Sequence, residues 1–180
     1  MTPEEALLNR AQQFDLNALA EIYDTFRPSI YGYALRLLGN ADLAEECVAE
    51  TFDRFLLALR NKKGPKEHLR AYLYRIAHNW VTDQYRRVPI ILPIESTTET
   101  DPASLPHQIL IEQMEQEQVR SALANLTPDQ RQVVVLRFLE EWTHEEIAEA
   151  LGKPLGAVKA LQHRAIASLQ RLLIAEEEIK

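Results

Sequence analysis

Glu145 to Gln170 reads EEIAEALGKPLGAVKALQHRAIASLQ, and its spacing predicts a helix, a tight turn and a second helix. Ile147, Ala148 and Leu151 form one apolar stripe at helical spacing. Gly152 marks the stop of the first helix, because glycine reaches a left-handed cap without steric cost. Pro154 suits the start of the next, where its missing N–H has no partner to lose. Val158, Leu161, Ala165 and Leu169 make a second stripe, and the opposite face carries Lys159, Gln162, His163 and Arg164, with Lys153 ahead of it. No acid interrupts that face before Glu176. Two short helices joined by a glycine turn, the second basic on its outer side, describe a helix-turn-helix able to enter a DNA major groove. The competing description is a helical hairpin with a merely solvated face.

Working outward, the 180 residues suffice for one large helical domain or two small ones, and 46% hydrophobic content supports a packed core. Glycine is scarce and long Val/Ile alternation is absent, so the expected fold class is all-α. Cys47 is the single cysteine, which excludes an internal disulfide and a cysteine zinc cluster. Its place in an amphipathic helix predicts a plain buried thiol. No apolar run reaches membrane-spanning length and the N-terminus lacks a signal-peptide pattern. The expectation is a cytoplasmic protein without membrane insertion.

The net charge of −7 looks wrong for a DNA-binding protein, but its distribution is uneven. Residues 1–87 carry 12 basic and 12 acidic groups; residues 88–119 carry six acids and neither Lys nor Arg; residues 120–173 carry seven basic and six acidic groups. The acidity sits in the middle and the tail, away from both basic helices. A chain with no net positive charge neutralises few phosphates, and nonspecific affinity depends on that neutralisation. This points to a protein that reaches DNA as part of a larger machine.

Along the chain, Thr2, Pro3 and Glu5 open a first helix and Asp15 caps a second, LNALAEIYDTF. A third is expected from Pro28 to Leu38, broken by Gly39-Asn40. A fourth runs from Ala41 to Leu59, with Leu43, Cys47, Thr51, Phe52, Phe55 and Leu59 on one face. After the loop Asn61 to Lys66, HLRAYLYRIAHNWVTDQYRR forms another, with Leu69, Leu73, Ile76, Trp80 and Gln84 along its stripe. These helices make a first domain, 1–87. Residues 88–105, with Pro89, Pro93, Pro102 and a Ser/Thr/Glu run, read as an irregular acidic linker. Pro106 opens a second helical domain, 106–175, in which Thr127-Pro128 starts the helix DQRQVVVLRFLEEW and the helix-turn-helix closes the chain.

The five histidines are scattered without ligand spacing, and there is no glycine-rich phosphate loop or nucleophile elbow. No metal, cofactor or catalytic activity is expected. Residues 62–87 do carry a second signal: lysines in the loop, then Tyr72, Tyr74, Trp80 and Tyr85 interleaved with Arg70, Arg75, Arg86 and Arg87. Cations beside aromatic rings suit single-stranded nucleic acid, where each stacked base contributes about 1–3 kcal/mol. Trp80 and Leu73 belong to the core stripe. Asn79, Tyr74, Arg75, His78, Thr82 and Arg86 lie off it and are the better candidates.

A single-strand reader followed by a duplex reader resembles the bacterial sigma factors of the small, two-domain, extracytoplasmic-function type. The resemblance covers Ala6 to Leu173. It rests on FDLNALAEIYDTFRPSIYGYALRLLGNADLAEECVAETF (14–52), YLYRIAHNWVTDQYRR (72–87) and LTPDQRQVVVLRFLEEWTHEEIAEALGKPLGAVKALQHRAIASL (126–169). It implies that Glu46, Glu50 and Asp53 dock on the clamp helices of core RNA polymerase. It implies that Lys62, Lys63, Asn79 and Asp83 hold the non-template strand of a −10 element, where a flipped base is captured, and that Arg86 and Arg87 contact phosphates. Lys159, Ala160, His163 and Arg164 would face a −35 element in the major groove, with backbone at Gly156 and Ala157 holding a phosphate. The linker would thread toward the RNA exit path, and an anti-sigma factor would cover the polymerase-binding faces. The chain departs from the family pattern at Ala49, where glutamine is usual, at Tyr72, where tryptophan is common, and at Ala157 and Ala160, where hydroxyl residues are frequent. Two rival readings are a free-standing helix-turn-helix regulator, typically dimeric, and an interaction scaffold.

Overall fold

A computed structural model describes residues 1–87 and 117–179, with side chains described as far as residue 172. Every regular element among them is helical: α1 (Pro3–Gln12), α2 (Leu16–Leu38), α3 (Ala41–Arg60), α4 (Leu69–Arg87), α5 (117–124), α6 (Pro128–Val134) running into a π-helical turn (Val135–Leu139), α7 (His144–Leu151) and α8 (Leu155–Ile179). The 88–105 segment and the start of the helix expected at Pro106 lie outside the described residues. No helix among those described is long and apolar enough to cross a membrane.

Local chemistry explains most boundaries. Thr2, Thr127 and Thr143 each form a capping box, with Glu5, Gln130 and Glu146 returning the bond. Asp15 caps α2 and Asn40 caps α3. The first amide of α4, at Leu69, is instead met from a distance by the Glu4 carboxylate of α1 at 2.9 Å. Gly39 and Gly152 end α2 and α7 in the left-handed region (φ +64° and +62°). A Cβ on Gly39 would also collide with the Arg120 guanidinium.

Two expected boundaries differ. The chain does not stop before Pro28; α2 continues through it. Proline removes the bond to the Asp24 carbonyl, at a cost of about 3 kcal/mol. Asp24, Thr25, Pro28 and Ser29 all face solvent, so water can reach the released carbonyl. Ile22 on one side and Ile30, Tyr33 and Ala34 on the other remain buried on one face. The helix starting at Pro128 does not reach Trp142. It widens at Val135–Leu139, where the Glu140 amide donates to the Val135 carbonyl, and Glu141 then takes φ +59°. That reversal drives Trp142 inward, to 1% exposure.

Packing joins all of this into one apolar cluster. In the N-terminal half, α3 contributes Ala44, Cys47, Val48, Thr51, Phe52, Phe55 and Leu59 against α2 and α4. Each large side chain buried this way contributes about 1.5–3 kcal/mol. Burial pushes the Cys47 thiol up to about 12, as fits an inert core sulfur. In the C-terminal half, α6 and α7 pack on α8 through Val133, Ile147, Ala150, Val158 and Ala165. Arg131 clasps that half: it donates to the carbonyls of Leu123 (3.0 Å) and Leu126 (3.1 Å), and its guanidinium lies 3.7 Å over the Tyr85 ring of α4.

Candidate nucleic-acid interface

The second helix of the helix-turn-helix presents a clean division. Val158 and Ala165 are fully buried, with Leu161 and Leu169 packed beside them, while Gly156, Lys159, His163 and Arg164 are exposed and Ala157 and Ala160 are half-buried. Residues 156, 159 and 163 stack one turn apart, and 157, 160 and 164 form the adjacent row. At the helix start the Ala157 amide already donates to the Pro154 carbonyl at 3.0 Å. Gly156 has nothing within 4 Å of the position a Cβ would occupy, so a bulky anion can approach its backbone closely. Lys153 bridges to Asp129 at 3.4 Å. Gln162, expected on the outer face, turns to His144 instead.

The helix α4 and its preceding loop form the second surface. Lys62 and Lys63 are exposed, and so are Asn79, Arg86 and Arg87; Asp83 is half-buried. Asn79, Asp83, Arg86 and Arg87 share one side of α4, spread over about 12 Å of helix. The loop is held by backbone bonds: the Lys62 amide donates to the Leu59 carbonyl and the Lys63 amide to the Ala58 carbonyl at 2.8 Å. This is the bond pattern that normally uses glycine, yet the left-handed position is filled by Lys62 (φ +56°). Gln12 secures the loop by donating to the Pro65 carbonyl.

Four of the other candidates on α4 do not have the surroundings expected of them. Tyr74 is fully buried, edge-on to Tyr33 and to Trp142. His78 is buried with its Nδ1 3.4 Å from the Tyr33 hydroxyl, and burial pulls its pKa down to about 4. Thr82 has a buried hydroxyl with no partner. Arg75 donates to the carbonyls of Ala150 (2.8 Å) and Glu149 (3.0 Å) at the end of α7. For Tyr74, Arg75 and His78 the physical reason is shared: α7, Trp142 and Asp129 of α6 lie against this side of α4, so residues off the first apolar stripe meet a second packing face. Trp142, Glu140 and Arg131 complete that contact. No local periodicity marks them, because they are buried by elements distant in sequence.

On α3, Glu46, Glu50 and Asp53 lie one turn apart, opposite Cys47, Thr51 and Phe55. Glu46 and Asp53 are exposed, and Glu50 pairs with Arg54 at 2.7 Å.

Residues 22–88 match the family model described as Sigma-70 region 2, and residues 122–171 match Sigma-70, region 4. The ECF RNA polymerase sigma factor BldN of Streptomyces coelicolor is 31% identical over 170 residues, spanning 93% of this chain and 64% of BldN, so the chain covers less than two thirds of that relative. Among solved structures, CnrH in complex with the cytosolic domain of CnrY is similar in fold (TM-score 0.72, 24% identity, 96% of this chain and 97% of that one). The sigma factor RpoE in complex with the anti-sigma factor NepR from Bartonella quintana aligns at TM-score 0.58 and 26% identity, over 86% of this chain and 95% of that one. The chain belongs to the sigma-70 family, as a sigma factor of the extracytoplasmic-function type.

Proposed function

We propose that this protein binds core RNA polymerase and directs it to a set of promoters, without enzymatic activity of its own and within the cytoplasm. The observation that carries the reading is the order on one chain: a region 2 match containing α4, then a region 4 match whose last helix exposes Lys159, His163 and Arg164. The functional division is 1–87 for polymerase docking and the −10 element, 88–105 as linker, and 106–175 for the −35 element. Glu46, Glu50 and Asp53 dock on the polymerase. Lys62, Lys63, Asn79, Asp83, Arg86 and Arg87 hold melted strand, where cations track the backbone and polar side chains grip an unstacked base. Lys159, Ala160, His163 and Arg164 read duplex, and the backbone at Gly156 and Ala157 meets a phosphate. The resemblance to RpoE bound to NepR supports an anti-sigma partner as well.

Two binding measurements on the full chain test this. Titration onto core polymerase should give a saturable one-to-one complex, and the chain alone should fail to retard promoter duplex specifically at moderate salt. Specific retardation by the chain alone, together with no binding to core polymerase, would instead identify a free-standing regulator.

A further inference from the structure

The loop between α3 and α4 carries Lys62 and Lys63, and its shape is imposed from outside. Near its two ends, Lys62 has φ +56° and His68 φ +55°. Residues other than glycine keep that conformation only where the surrounding structure holds them in it. Between them, Gly64 lies so close to the Leu59 side chain that a Cβ would meet it at 2.6 Å, so this part of the loop is folded back on the end of α3. His68, the residue ahead of α4, is also out of the extended conformation in which Thr2, Asp15, Asn40, Thr127 and Thr143 cap their helices.

The outside support comes from α1. The Gln12 side-chain amide donates to the Pro65 carbonyl at 2.8 Å, in the middle of the loop, and the Glu4 carboxylate accepts from the Leu69 amide at 2.9 Å, where α4 begins. These bonds span 53 and 65 residues of sequence. Glu4 and Gln12 stand about 12 Å apart along their helix, and Leu8 and Ala11 between them are buried in the N-terminal core, so α1 is a fixed spacer. Its two bonds set the loop lysines against Asn79 and Asp83, which lie farther along α4. The helix does this from outside the Sigma-70 region 2 match, which begins at residue 22.

We propose that α1 is a bracket for strand reading, with Gln12 and Glu4 as positioning residues that hold the 61–68 loop and the start of α4 in the arrangement that captures melted DNA. This rests on the promoter reading above. Without either bond the loop takes up other shapes, and single strand binds only the fraction of chains in the competent one. Neither residue belongs to the polymerase or DNA sets, so their loss acts on capture and base discrimination and leaves docking on core as it is.

Full-length parent, Gln12→Met, Glu4→Leu and Glu4→Gln test this. Each is titrated onto core polymerase, and each saturated complex is then challenged with a random-sequence pool of single-stranded DNA whose bound fraction is quantified and sequenced. Gln12→Met and Glu4→Leu keep side-chain bulk without the polar group, whereas Glu4→Gln still offers a carbonyl oxygen to the Leu69 amide. The first two should each weaken capture of the parent's enriched sequence roughly three- to tenfold, the equivalent of one lost hydrogen bond, and flatten its enrichment over the unselected pool. Their affinity for core should match the parent's, and Glu4→Gln should behave as the parent throughout. Parent-like capture and enrichment in either Gln12→Met or Glu4→Leu, a loss of core affinity as large as the loss of capture, or Glu4→Gln as weak as Glu4→Leu would overturn the bracket. If the parent complex enriches no sequence beyond bare core, the promoter reading fails. Hydrogen exchange over residues 61–69 of the free chains still decides whether α1 holds the loop: faster in Gln12→Met and Glu4→Leu if it does, equal in all four if it does not.

Discussion

The hydroxyl of Tyr33 on α2 lies 3.4 Å from Nδ1 of His78 on α4, and both groups are buried. The pair joins the middle of the N-terminal core to the helix proposed to hold melted DNA. Burial keeps the imidazole neutral: it lowers the His78 pKa from an ordinary 6.5 to about 4, the Asp129 carboxylate opposes that shift, and Arg131 adds to it. The Tyr33 hydroxyl is likewise pushed up by burial.

Acid should therefore destabilise the protein in a defined window. The folded-state value lies below the unfolded one, so the unfolded chain takes the proton first. Stability from neutral His78 is complete above about pH 6.5 and is lost as pH falls toward 4, by about 3 kcal/mol in all. Denaturant midpoints measured across that window should show the loss in the parent and a flatter profile in His78→Gln. Parallel profiles for the two proteins would contradict the assignment.

Gly152 and Gly156, four residues apart, should respond oppositely to alanine. Gly152 has φ +62°, and a Cβ there would lie 3.3 Å from Arg75. Gly152→Ala should cost about 1–2 kcal/mol in unfolding free energy. Gly156 sits in α8 with open space around it, so Gly156→Ala should be neutral or stabilising by up to about 1 kcal/mol. Urea unfolding of both variants checks the contrast.

Lys62 holds a left-handed conformation that glycine would adopt without strain. Lys62→Gly should raise unfolding free energy by up to about 1 kcal/mol, while weakening capture of a −10 single strand by polymerase holoenzyme. A stabilised variant with undiminished strand binding would show that the lysine has no part in the interface.

The parts of the fold legible in the sequence were those with local causes. Thr2, Asp15, Asn40, Thr127 and Gly152 act within a few residues of themselves, so their helix ends could be read directly. The stripes on α3 and α8 follow from spacing alone. What could not be read was decided by contacts across the chain. Pro28 stays helical because residues on both sides of it pack on α3 and α4; Tyr74 and His78 are buried because α6 and α7 cover a second face of α4. The exposed row Lys159, His163 and Arg164 was legible for the same reason as the stripe behind it. The attachment of Arg75 to α7 was not, since nothing near residue 75 announces a partner at residues 149–150.

Duplex recognition should separate into two effects on α8. Within holoenzyme, Lys159→Ala and Arg164→Ala should each lower the slope of log affinity against log salt by about 1 if they meet phosphate. If they read a base edge, each should cost about 1–3 kcal/mol at one promoter position and leave the slope unchanged. Filter binding over a salt series, repeated on single-base promoter variants, distinguishes these. No change of either kind would remove α8 from the interface.

The most direct test is run-off transcription by core RNA polymerase reconstituted with this protein, on a library of fragments from the host genome. The account predicts discrete transcripts, absent with core alone, whose start sites share two upstream sequence blocks. Output from the reconstituted enzyme no greater than from bare core across the library would contradict it.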